Sequence, residues 1–134
     1  MTNERAKLLL RAAAVFNILG GGTILAFPDH AFSILYRRGV ALDDTLMRSH
    51  HLLLFGFVVA MGVGLWSSAG NALQSRGILI ASILGKTLAG VVWLRMFAAN
   101  EATILLAGAA LADLAWAIAF VILLRRQAGE TTAG

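Results

Sequence analysis

The sequence has no cysteine, one proline, one tyrosine and few charges: only 13% of its 134 residues are Asp, Glu, Lys or Arg. Without cysteine there is no disulfide framework, thiolate nucleophile or iron–sulfur cluster. The charges that remain gather near the N-terminus, around positions 29–48, and at Arg125, Arg126 and Glu130, while the runs 52–66 and 77–85 carry none. A soluble helical bundle would show polar residues every three or four positions on each helix, and these segments do not. With 59% hydrophobic residues and a mean hydropathy of +0.80, the chain reads as a membrane protein.

Its length suits one domain, residues 1–134. Four segments reach the roughly 20 residues that a helix needs to cross the hydrocarbon core, at about 8–27, 49–69, 77–97 and 102–124. The expected fold is therefore all-α, a polytopic bundle of four transmembrane helices. Arg11 and Asn17 interrupt the first apolar run and no small-x-small cleavage site precedes Pro28, so the first span is expected to be a retained helix. Small residues recur at helical spacing, as in Gly56, Ala60 and Gly64, Gly85 and Ala89, or Gly108 and Ala112. Such ladders let backbones approach closely in lipid.

Connections of a few residues at 70–76 and 98–101 make neighbouring helices antiparallel, giving an up-down-up-down arrangement. The longer connection after the first span starts at Pro28, supplies Ala31, Phe32, Ile34, Leu35 and Tyr36, and meets a stop at Gly39. A short helix lying in the interface is expected there. Asp43 or Asp44 is placed to cap the second span, and Asn100 with Glu101 the fourth. Trp66 and Trp93, near span ends, read as interfacial anchors, and Trp116 as packing.

Basic residues set the orientation. Arg5, Lys7, Arg11, Arg76, Arg125 and Arg126 fall on the side of the termini, against Arg37, Arg38, Arg48 and Arg95 opposite. That excess expects both termini in the cytoplasm. The net charge of +4 then reflects topology and headgroup contact. No basic face of useful size remains outside the bilayer for nucleic acid.

The letters Gly85-Lys86-Thr87 invite a phosphate-binding reading, which requires G-x-x-x-x-G-K-[ST] at the start of a helix. Ile80 occupies the place of the first glycine, and the triplet lies within a continuous span whose N–H groups are already used. Lys86 is instead an ionisable group in the bilayer, at a cost of roughly 2.5–3.5 kcal/mol. Counting along antiparallel spans puts Lys86 and Asp113 at one depth, about 14–16 Å from the inner boundary, with Asn17 level with them. The three define a candidate midplane polar layer. Two roles fit it: an ion pair that fixes helix register, or a proton- or substrate-linked site.

A second candidate patch lies toward the opposite side, made of Arg48, His50, His51 and Arg95, with His30 nearby. Adjacent histidines on a helix point about 100° apart, so neither a haem nor a metal site is expected. A titratable patch near the headgroups is one reading; the favoured one is that Arg48 and Arg95 simply snorkel to the interface.

An arginine entering the first span before Gly20-Gly21-Gly22, the Gly85-Lys86 pair in the third, the size and the four spans together resemble small bacterial inner-membrane proteins related to the DoxX family. The resemblance implies a four-helix bundle in the inner membrane and, for some members, quinone-linked redox partners. No catalytic constellation or cofactor ligand set stands out in this chain. An accessory or structural membrane subunit, packing against a second copy or a membrane-protein partner, is the leading expectation. A small oligomeric transporter or proton-coupled carrier, and a quinone-linked redox component, are the alternatives.

Overall fold

The computed structural model describes residues 3–37 and 44–131. Five α-helices follow in order: α1 (Asn3–Ala26), α2 (Pro28–Leu35), α3 (Thr45–Ser68), α4 (Arg76–Ala98) and α5 (Ile104–Thr131), with a short 3-10 helix, Ala69–Gln74, joining α3 to α4. Four segments are long and apolar enough to cross a membrane: Glu4–Ala26, Thr45–Asn71, which runs from α3 into the 3-10 helix, Arg76–Ala98 and Ile104–Gln127. Arg38, Gly39 and Asp43, named above in the connection after the first span, lie outside the described residues.

Local chemistry explains the helix ends. Pro28 cannot donate a backbone N–H and forces the residue before it out of the helical region. Phe27 accordingly sits at φ −131°, ψ 61°, and α2 begins with the proline in its first turn. The Asp44 carboxylate accepts from the N–H groups of Leu46 at 2.8 Å and Met47 at 3.2 Å, satisfying two orphan donors of α3. Asn100 does not cap α5 as expected. It adopts φ 63° and closes α4: its N–H bonds to Phe97 O, and that of Glu101 to Met96 O. Asparagine tolerates this left-handed position, which completes a Schellman-type stop.

The connection between α4 and α5 is held by α2. Arg37 N–H donates to Glu101 O and Thr103 N–H to Leu35 O, both at 2.9 Å, around an antiparallel bridge of Tyr36 with Ala102. Thr103 Oγ1 donates to Ile34 O at 2.7 Å, and the Arg37 guanidinium donates to Asn100 Oδ1 and Ala102 O. This clasp consumes Ala102 and Thr103, which is why α5 starts at Ile104.

The helices pair as two hairpins, α1 with α3 and α4 with α5, while α3 and α4 meet sparsely. Two apolar clusters fill the bundle. One, toward the termini, includes Leu10, Leu65, Leu79 and Phe120; the other, toward α2, includes Phe32, Tyr36, Phe55, Trp93 and Leu106. Trp93 is therefore a core residue, only 6% exposed, not the interfacial anchor its position suggested.

The close backbone approaches do not follow the expected ladders. A Cβ at Gly56, Gly85 or Gly108 would meet nothing within 4 Å, and one at Gly64 only the Ile78 side chain. The tight positions are Gly21, Gly62 and Gly90, and a Cβ at Gly21 would stand 3.1 Å from Phe55 O. A Cβ at Gly62 would stand 3.1 Å from Ala14 O and 3.0 Å from Asn17 Cβ; one at Gly90, 3.1 Å from Ala110 O and 2.7 Å from Leu114 Cγ. Backbone cannot yield as a side-chain tip does, so Gly62→Ala should destabilise the bundle by about 1–3 kcal/mol, while Gly56→Ala should be neutral. Thermal unfolding in detergent measures both, and equal shifts would show that Gly62 has no special contact.

Candidate functional site

The three tight glycines sit beside the buried polar residues. Gly90 lies one turn from Lys86 on α4, and Ala110 about one turn from Asp113 on α5, so the close crossing brings the two charges together. Lys86 Nζ donates to Asp113 Oδ1 at 2.6 Å and to Asn17 Oδ1 at 2.9 Å. The first contact is an ion pair. Lys86, Asp113 and Asn17 are 6%, 7% and 4% exposed, and Nζ lies 5.4 Å from the centre of the Phe16 ring. The three side chains come from α4, α5 and α1, so the layer crosses from one hairpin to the other between the two apolar clusters.

The other candidate residues do not form one patch. Arg48 pairs with Asp29 at 2.8 Å on the surface. His50 is exposed and bonds through a ring nitrogen to Leu46 O at 2.8 Å. Arg95 is exposed in the last turn of α4, where a cation complements the helix dipole. His51 departs from the expectation of a headgroup patch: it is buried, 7% exposed, because α2 folds over it. Its ring lies 4.2 Å from that of Phe32 and 4.5 Å from that of Phe55, centre to centre. Its Nδ1 shares a 2.9 Å hydrogen bond with the Tyr36 hydroxyl. Among the described residues no three His, Asp or Glu side chains gather as a metal site.

Beside the polar layer, the sparse contact of α3 with α4 leaves a cavity of about 380 Å³, within the roughly 300–1,000 Å³ of ligand pockets. Leu54 and Phe57 of α3 and Leu88 and Val92 of α4 line it. All four are at least 39% exposed, so its mouth opens sideways between the two helices. Lys86, Asn17, Asp113 and Ser82 form its polar part. Ser82 was absent from the sequence-based set. It lies four residues before Lys86, on the same face of α4, and that spacing was the available signal.

These features define a polytopic helical protein with an internally paired lysine beside an apolar, laterally open cavity. No protein-family model matches the chain, nor does any curated protein or solved structure.

Removing one partner of the buried pair leaves the other uncompensated, so Lys86→Met and Asp113→Leu should each cost about 3–5 kcal/mol. The double substitution should cost less than the sum. Folded yield and unfolding in detergent measure the cycle; strict additivity would mean that the two groups are not coupled.

Tyr36 provides a pH test. Burial pushes its phenol up from 10.0 to about 12, because the phenolate would lose its hydration. The fold thus holds the neutral form, and this contribution is complete below pH 10 and lost as pH rises through about 12. As the chain's one tyrosine, it reports directly: the ultraviolet phenolate band should rise near pH 12 in folded protein and near pH 10 in unfolded protein. A midpoint near 10 in both would show an open Tyr36.

Proposed function

We infer that this chain is an accessory or structural subunit of a bacterial inner membrane, with both termini in the cytoplasm, and that it works by packing against a membrane-protein partner or a second copy. The observation that carries this reading is the internal use of its central charges. Lys86 is matched by Asp113 and Asn17 across the hairpins, which suits a group that fixes helix register. Large apolar side chains from every span, such as Leu19, Phe57, Leu88 and Ile118, point outward and offer surface to lipid or to another helix. The excess of basic residues beside the termini supports the orientation, and the resemblance to DoxX-related proteins supports the compartment. A carrier is the second reading, favoured by one feature: the cavity reaches Lys86.

An affinity tag after Gly134 tests the first reading. The tag should be shielded from protease added to spheroplasts, and gentle extraction of native membranes should yield the chain with a stoichiometric protein partner or as a defined homo-oligomer. A lone monomer that keeps its cellular role would overturn it.

A further inference from the structure

We propose that the cavity between α3 and α4 binds a single-chain neutral lipid through a carbonyl head, which accepts hydrogen bonds from Ser82 Oγ and Lys86 Nζ. The site does not depend on the accessory-subunit reading, since a partner on the outer faces neither creates nor removes it.

Ser82 is the first reason. Its residue is 3% exposed, and its hydroxyl oxygen has no hydrogen-bond partner among the described residues although it is buried. A buried hydroxyl left unpaired costs on the order of 1–3 kcal/mol, and a hydroxyl in the middle of a helix ordinarily returns to the carbonyl one turn back. This one makes no such bond, and its residue lines the cavity. Lys86 lies one turn further along the same face, and its ammonium has three N–H donors, of which Asp113 and Asn17 take two. The polar end of the cavity therefore offers the Ser82 hydroxyl and a third Lys86 N–H, while Asp113 Oδ1 and Asn17 Oδ1 are already engaged with Lys86. The complement of that pattern is an acceptor.

Charge balance selects a neutral acceptor. Lys86 and Asp113 cancel, so a carboxylate or phosphate head would add an unbalanced negative charge beside Asp113, far from water, and an amine would do the same beside Lys86. The rest of the ligand follows from the walls, which are apolar from Met61 to Val92 and Trp93. From Lys86 to Trp93 the α4 wall runs about 10 Å along the axis, enough for a chain rather than a small head alone. Gly85 lies on this wall, and a Cβ there would meet nothing within 4 Å, so the space is held open by a residue that could carry a side chain without conflict. The lateral mouth lets such a lipid enter from the bilayer without crossing water.

Trp93 lines the cavity and makes the site measurable. In a Trp66→Phe, Trp116→Phe background, Trp93 fluorescence of the full chain in nanodiscs is titrated with methyl dibromostearate, whose bromines quench indole on contact. Dibromostearic acid at mildly alkaline pH and dibromo-octadecane serve as the anionic and headless probes. The ester should quench saturably, the alkane only in proportion to its mole fraction, and the acid about tenfold more weakly than the ester. Ser82→Ala should weaken the ester by about five- to tenfold, the range expected for one lost hydrogen bond. Gly85→Leu should abolish the saturable phase while leaving folded yield unchanged, because it fills open space. Equal quenching by ester and alkane, unaffected by Gly85→Leu, would reduce the cavity to ordinary lipid contact and overturn the site. An acid that binds as well as the ester, or an ester indifferent to Ser82→Ala, would overturn the assignment of the head.

Discussion

The contact of Lys86 with Asp113 and Asn17 is the constraint around which the bundle is arranged. A lone ammonium at that depth costs several kcal/mol, and the ion pair offsets this only if the geometry is close. That closeness rests on backbone approach: Gly90 admits α5 to α4 and Gly62 admits α1 to α3. The Lys86–Asp113 contact lies within one hairpin, whereas the Lys86–Asn17 hydrogen bond crosses to the other. Since α3 and α4 meet sparsely, this crossing bond ties the two hairpins at mid-depth, with apolar clusters on either side.

A gap between the hairpins lies beside this tie. On the α1 side of the tie, Phe16 approaches Trp116 of α5 at 6.3 Å between ring centres. Nothing comparable joins α3 to α4 at mid-depth, where Gly85 faces open space. The α2 end is closed separately. There the backbone bonds of Tyr36, Arg37 and Thr103 hold α2 across the connection between α4 and α5, and Phe32, Tyr36 and Phe55 surround His51. The cavity thus lies beside the tie, between the apolar clusters, and large apolar side chains cover the outward faces.

Several residues show where reading along the chain stops. Counting at 1.5 Å per residue placed Asn17, Lys86 and Asp113 at one level, because depth is a sum along a helix axis. Small residues at i and i+4 were equally visible at Gly56–Ala60–Gly64 and at other positions, yet only contact with a neighbouring backbone distinguishes Gly21, Gly62 and Gly90 from the rest. Trp93 and His51 sit near span ends, where hydropathy expects amphipathic side chains to reach the interface; Phe32 of α2 with Tyr36 covers His51, and Trp93 stacks on Phe55. Asn100 carried a helix-capping residue type but stands after α4 rather than before α5, a choice made by the hydrogen bonds that α2 places on Ala102 and Thr103. Ser82 drew no notice because one hydroxyl in an apolar span is ordinary, and only its lack of a hydrogen-bond partner among the described residues makes it distinctive.

The sequence by itself determined that the protein is all-α, that four of its helices are long and apolar enough to span a bilayer, and how deep each polar residue lies within them. These properties are local: hydropathy, capping and axial rise depend on residues close together in the chain. Tertiary structure alone decided which helices pair, how each is rotated about its axis, and where the packing leaves a cavity. Those depend on whether a Cβ meets a backbone oxygen several angstroms away across a helix crossing, a contact between residues tens of positions apart that no periodicity in the chain encodes.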